Sequence, residues 1–105
     1  MAFKIEKEIT PQEVEARLKR GEELRLLDVR EPAEWAAGHI AGAVHIPVGQ
    51  LVERCKELDA GHELIVMCRS GGRSGLACEL LGERGFSVVN MTGGLMNWTG
   101  ELTGE

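Results

Sequence analysis

No apolar run in this chain approaches the roughly 18 to 20 residues that a membrane span requires. The first ten residues, Met1 to Thr10, are interrupted by Lys and Glu throughout, unlike a signal peptide. Cysteine is sparse: there are three, an odd number, with no Cys-x-x-Cys pair. That pattern does not describe a disulfide framework, and it argues against a structural zinc site. Positive charge is in deficit, 12 Lys and Arg against 17 Asp and Glu, a formal net charge of −5. Such a balance discourages non-specific nucleic-acid binding. Aromatic residues are only 4% of the chain; Trp35, Phe86 and Trp98 read as core residues, with Trp35 or Trp98 as candidates for a pocket rim. There is no internal repeat and no low-complexity linker. The expectation is one cytoplasmic domain spanning residues 1–105, without metal or cofactor and with neither membrane nor nucleic acid as partner.

What is present is a globular composition, 43% apolar. Four apolar, β-branched-rich runs stand out: Leu24–Val29, Val44–Ile46, Leu64–Met67 and Val88–Met91. The runs ending in Val29 and Met67 lack polar alternation, as strands of a parallel sheet covered on both faces do. Lys4–Ile9 is a candidate edge strand. Between the runs lie helical patterns. Thr10-Pro11-Gln12-Glu13 reads as a capping box with Pro at the first helical position, opening a helix to about Arg20. Val48, Leu51, Val52, Cys55 and Leu58 recur at helical spacing. Arg73 to Arg84 places Leu76, Ala77, Leu80 and Leu81 on one stripe and stops at Gly85. Strands alternating with helices predict a three-layer α/β/α sandwich.

The segment Cys68-Arg69-Ser70-Gly71-Gly72-Arg73-Ser74 carries the chemistry. It follows the strongest strand and precedes an amphipathic helix, so it lies beyond a strand's carboxyl end, where ligands of open α/β sheets sit. Two adjacent glycines allow the backbone to curl with positive φ, and a curled loop running into a helix start aims several N–H groups at one point. A cysteine at the base of that cup is favoured as thiolate by the amides, the helix start and the cations Arg69 and Arg73. Thiolate is the nucleophilic form. A lone cysteine at a strand end is more often a small buried hydrophobe; the two Arg, two Gly and the helix start tip the reading to a reactive thiol. The spacings of a phosphate-binding loop and of a dinucleotide fingerprint are both absent. The result is a thiol enzyme acting on an anionic group.

Leu27-Asp28-Val29-Arg30-Glu31, Glu34-Trp35 and Gly38-His39-Ile40-Ala41-Gly42-Ala43 together resemble the opening signature of rhodanese domains. Cys68 to Ser74 resembles their active-site loop, and Gly85-Phe86-Ser87-Val88 with Gly93-Gly94 and Trp98 their closing signature. The resemblance covers roughly Ile5 to Gly100, with the motifs in family order. It implies a five-stranded parallel sheet of order 3-2-4-5-1. It also implies a sulfurtransferase in which Cys68 takes a sulfane sulfur from thiosulfate or a persulfide donor and passes it to a thiol or cyanide, with a sulfur-relay protein as a further possible partner. Six loop amides would stabilise the persulfide. Arg69, Ser70, Gly71, Gly72, Arg73 and Ser74 would form the substrate loop, and Arg30 matches a position that contacts the donor in some relatives. Asp28, a carboxylate ending an apolar strand and costly there without a partner, is read as supporting the loop, through Arg73. Two alternatives share the fold. One is a small Cys-dependent phosphatase or arsenate reductase, in which five residues intervene between Cys and Arg where here four do, Arg69 to Gly72. The other is a non-catalytic interaction module, which typically lacks the cysteine.

The remaining candidates have plainer readings. Cys55 belongs to the apolar stripe of its helix, and Cys78 reads as a filler on the flank of its own, with a resolving thiol as the sharper alternative. His39 is expected to make a structural hydrogen bond, and His45 and His62 carry no metal spacing.

Overall fold

The computed structural model describes residues 7–104. Its strands are β1 (Glu8–Ile9), β2 (Arg25–Asp28), β3 (Val44–His45), β4 (Leu64–Met67) and β5 (Val88–Met91); its α-helices are α1 (Pro11–Lys19), α2 (Pro32–Ala37), α3 (Leu51–Arg54) and α4 (Gly72–Gly82). Among the described residues there are also three 3-10 turns: Val48–Gln50 and Cys55–Glu57 flank α3, and Gly94–Asn97 follows β5. All five strands pair in parallel, in the order β1-β5-β4-β2-β3. Read from the other edge, this is the expected 3-2-4-5-1. Of the anticipated edge strand, Glu8–Ile9 pairs with β5 at Asn90 and Met91; Lys4 to Glu6 lie outside the described residues.

Side chains alternate across a strand, and the alternation divides the core. Leu27, Leu64, Val66 and Val88 face one side, where they pack with Leu51 of α3 and Ala77, Cys78 and Leu81 of α4. Leu26, Ile65, Met67, Val89 and Met91 face the other, against Val14 of α1, Leu95 and Trp98. β4 is apolar throughout and β5 in all but Asn90, because both faces of the sheet are covered. The α1 capping box forms as predicted: the Glu13 N–H donates to Thr10 Oγ1 at 3.1 Å, and the Thr10 N–H donates to Glu13 Oε1 at 3.4 Å.

Two helical stripes differ from expectation. In α4 the buried residues are Ser74, Ala77, Cys78 and Leu81, while Leu76 is exposed. The buried face therefore runs through Cys78, which lies within the core and not on its flank. In the α3 region the chain is broken into 3-10, α and 3-10 pieces; this turns Val52 out to solvent and leaves Val48, Cys55 and Leu58 partly buried against the core.

Candidate active site

Cys68 continues the alternation of β4, on the face of Leu64 and Val66, so its side chain points toward α4. It is 1% exposed. The loop after it turns at Gly71, φ 109°, which stands directly before α4. Gly72, the second of the glycine pair, has no positive φ; one left-handed residue suffices for the turn. Around the sulfur the contacts are short. The Gly71 N–H donates to Cys68 Sγ at 3.0 Å, and the thiol reaches Ser74 Oγ at 3.4 Å. The Ser74 hydroxyl, fully buried one turn into α4, also lies 3.1 Å from Gly71 O and 2.6 Å from Asn90 Oδ1.

Burial pushes the Cys68 thiol up, since it penalises the charged form. The Ser74 hydroxyl and the backbone N–H groups of Ser74, Gly71 and Ser70 pull it down, and together they win: the pKa lies below its ordinary value. Three backbone donors and a hydroxyl lead the stabilisation of Sγ as thiolate. Cys78, in the same core face, has no such donors, and burial alone pushes it up to about 12. Of these two core thiols, then, Cys68 is the one electrostatically prepared for ionisation.

The charged neighbours are arranged differently from the sequence reading. Arg73 forks onto Glu34 of α2, Nη1 to Oε1 at 2.6 Å and Nη2 to Oε2 at 2.9 Å, and does not meet Asp28. That carboxylate belongs instead to Arg30: Nε lies 3.0 Å from both Asp28 oxygens, Nη2 2.8 Å from Oδ2, and the Arg30 N–H 3.0 Å from Oδ1. Arg30 Nη2 also donates to Gly38 O at 2.8 Å. The pair is almost wholly buried, with side-chain exposures of 9% and 0%. Arg30 is thus committed to Asp28 and the Gly38 carbonyl, and its guanidinium fastens the α2 connection to the end of β2. Arg69 and Ser70 are exposed at the rim of the loop.

The closing signature supports the loop from beneath. Gly93 and Gly94 both take left-handed φ, 74° and 60°. The turn they form aims the Leu95 N–H at Cys68 O and the Met96 N–H at Arg69 O, each at 2.9 Å. His39 makes the structural hydrogen bond expected of it, Nδ1 to Trp35 O at 2.8 Å, and its ring stacks on Trp35 at 3.5 Å. His45 stacks on the same indole at 4.7 Å and places Nε2 2.8 Å from Arg30 O. Trp35 is thereby a half-buried prop for the α2 connection. Among the described residues no cluster of His, Cys, Asp and Glu could hold a metal ion, and no helix is long and apolar enough to cross a membrane. Asn90 and the Glu34–Arg73 pair lie beyond what the sequence motifs indicate. The one sequence signal for them is that Asn90 is a lone amide in an apolar strand.

Comparison with known proteins agrees with this fold. The pattern of the rhodanese-like domain matches residues 10–101. The chain is 45% identical over 95 residues to "Putative sulfurtransferase YtwF" of Bacillus subtilis, covering 90% of this chain and 92% of that one. It is 33% identical over 100 residues to the thiosulfate sulfurtransferase GlpE of Pseudomonas entomophila, covering 94% and 90%. A crystal structure of a rhodanese-like domain protein from Staphylococcus aureus superposes with a TM-score of 0.88 at 29% identity, over 94% of this chain and 98% of that one. A family match across most of the length, joined to relatives of this identity and coverage, places the chain in the rhodanese-like domain family.

Proposed function

We propose that the protein is a rhodanese-type sulfurtransferase working through a Cys68 persulfide. The observation that carries this reading is the depressed Cys68 thiol, held by the Gly71 N–H and the Ser74 hydroxyl at the base of a short loop. The Cys68 thiolate attacks the outer sulfur of thiosulfate. The sulfur–sulfur bond of the donor breaks, sulfite leaves with the bonding pair, and Cys68 carries a persulfide anion. A thiolate or cyanide then attacks the terminal sulfur, and the bonding pair returns to Cys68 as thiolate. A persulfide donor enters by the same attack and releases a thiol. The loop N–H groups that favour the thiolate are placed to favour the persulfide anion as well. Arg69, exposed at the rim, supplies local positive charge for an anionic donor against the overall charge of −5.

The phosphatase alternative is weaker. It requires the loop arginine to fork onto a phosphate, and Arg73 is instead spent on Glu34.

The test is mass spectrometry of the protein after exposure to thiosulfate, glutathione persulfide or polysulfide. One added sulfur on Cys68 is expected, with none on Cys78, and Cys68→Ser should abolish thiocyanate formation while retaining the fold. Aryl phosphate turnover without any persulfide, or full activity in Cys68→Ser, would overturn the reading.

A further inference from the structure

We propose that Asn90 is a positioning residue for Cys68, its carboxamide turning so that the Ser74 hydroxyl can serve either the thiol or the thiolate. The inference rests on the sulfurtransferase reading only in taking ionised Cys68 as the reactive species.

The geometry is a buried chain of three side chains from three elements. On β5, Asn90 shares the face of Val88 and so looks toward α4, as Cys68 does from β4. It is 8% exposed, and its Oδ1 lies 2.6 Å from Ser74 Oγ, which lies 3.4 Å from Cys68 Sγ. A hydroxyl has one proton to give. With Cys68 protonated the chain is complete: S–H donates to Ser74 Oγ, and Ser74 O–H donates to Asn90 Oδ1 or to Gly71 O. When the thiol proton leaves to solvent the sulfur becomes acceptor only, and the Ser74 proton has to turn to it. Two acceptor oxygens would then face each other across 2.6 Å. A half-turn of the amide removes the conflict. It replaces Oδ1 with an N–H that donates to Ser74 Oγ and leaves the hydroxyl proton on sulfur. Oxygen and NH2 are nearly the same size, so the half-turn needs no repacking. An amide can support both protonation states of the cysteine; a carboxylate could support only the thiol.

Other ionisable groups around the cysteine do not substitute for this chain. Arg73 is engaged by Glu34, Asp28 by Arg30, Arg69 is exposed at the rim, and Cys78 remains protonated.

The prediction is signed. Asn90→Asp keeps the shape but fixes an acceptor against Ser74, and should raise the Cys68 pKa by about one unit, a tenfold slower alkylation at a pH below it. The pH profile of persulfide formation should move up with it, and KM for thiosulfate should change little. Asn90→Leu removes the competitor for the Ser74 proton and should leave the Cys68 pKa at or below the wild-type value. A purely structural role would move both variants the same way. In a Ser74→Ala background, Asn90→Asp should lose most of its effect. The assay is iodoacetamide alkylation of Cys68 against pH, read by peptide mass spectrometry, beside thermal melts. Equal shifts for Asp and Leu, or an undiminished shift without the Ser74 hydroxyl, overturn the proposal. The signed shifts without persulfide from any donor would leave the positioning role standing and reject the sulfurtransferase reading.

Discussion

Gly94→Ala should damage the active site from a residue that never touches the sulfur. A Cβ built at Gly94 would stand 2.5 Å from the Arg69 carbonyl carbon and 2.6 Å from the Cys68 carbonyl oxygen, and closer still to the Arg69 oxygen. Contacts between non-bonded heavy atoms are comfortable at about 3.5 to 4.0 Å, so the overlap is about 1 Å, and it is with backbone. No flexible side chain can move aside. The two peptide groups it strikes receive the Leu95 and Met96 N–H bonds, so the turn and the cysteine loop cannot separate without losing both. Overpacking costs about 1–3 kcal/mol, and a left-handed φ of 60° costs a residue with a side chain about 1–2 more. A loss of about 3 kcal/mol corresponds, in a domain of this size, to a melting temperature lower by on the order of 15 °C. What native protein remains would have its loop amides displaced from Sγ, so Cys68 alkylation at fixed pH should slow as well. Gly49→Ala is the control: nothing lies within 4 Å of its Cβ position and its φ is not positive, so it should be neutral or slightly stabilising. A Gly94→Ala protein that melts with the wild type and reacts at the same rate would refute the reasoning.

Two further outcomes follow from the ion pairs. Arg30→Met strips the fully buried Asp28 carboxylate of its partner and should cost about 3–5 kcal/mol in denaturant unfolding, most of it recovered in the Asp28→Asn/Arg30→Met double variant; equal losses in single and double variants would refute this. Glu34 is held at about 2, below its ordinary 4.5, first by the Arg73 hydrogen bonds, against the upward push of burial. Its contribution is therefore complete above pH 4.5 and lost as pH falls toward 2. Because both side chains are about one-third exposed, that contribution is discounted to about 1 kcal/mol, and acid unfolding curves of Glu34→Gln and wild type should converge across that interval. Parallel curves would refute it.

Much of this molecule is legible in its sequence because its strongest signals are local. The buried strands announce themselves as unbroken apolar runs, α1 by a capping box within four residues, and Cys68 by a strand end meeting glycines and a helix start. What escaped was settled by partners distant in sequence or by short-range competition. Asp28 is 45 positions from Arg73 and two from Arg30, and the nearer cation took it, with the Arg30 backbone N–H adding a further bond. Arg73 then closed on Glu34, 39 residues away, which no local pattern could reveal. The α4 stripe departs from the hydrophobic pattern because burial there follows hydrogen bonding as well as hydrophobicity. Ser74 is buried because its hydroxyl has work among Cys68, Gly71 and Asn90, and its presence rotates the buried face past Leu76 and onto Cys78.

That rotation bears on how the loop handles charge. With Arg73 tied to Glu34 and Arg69 at the rim, the leading influences that favour the Cys68 thiolate are neutral donors at hydrogen-bond range. Such donors are fixed by the backbone and by a buried serine, so they do not weaken when salt rises, whereas an exposed arginine is screened within about 8 Å at physiological ionic strength. The two jobs of the site are therefore separable. Ionisation of Cys68 should be nearly insensitive to salt, and attraction of an anionic donor should decline with it. Alkylation by neutral iodoacetamide and sulfur loading from thiosulfate, each measured from low to high potassium chloride, should diverge: the first flat, the second falling several-fold, and the fall absent in Arg69→Ala. If both rates dropped together, the cations would be holding the thiolate after all, and the assignment of that task to Gly71, Ser70 and Ser74 would be wrong.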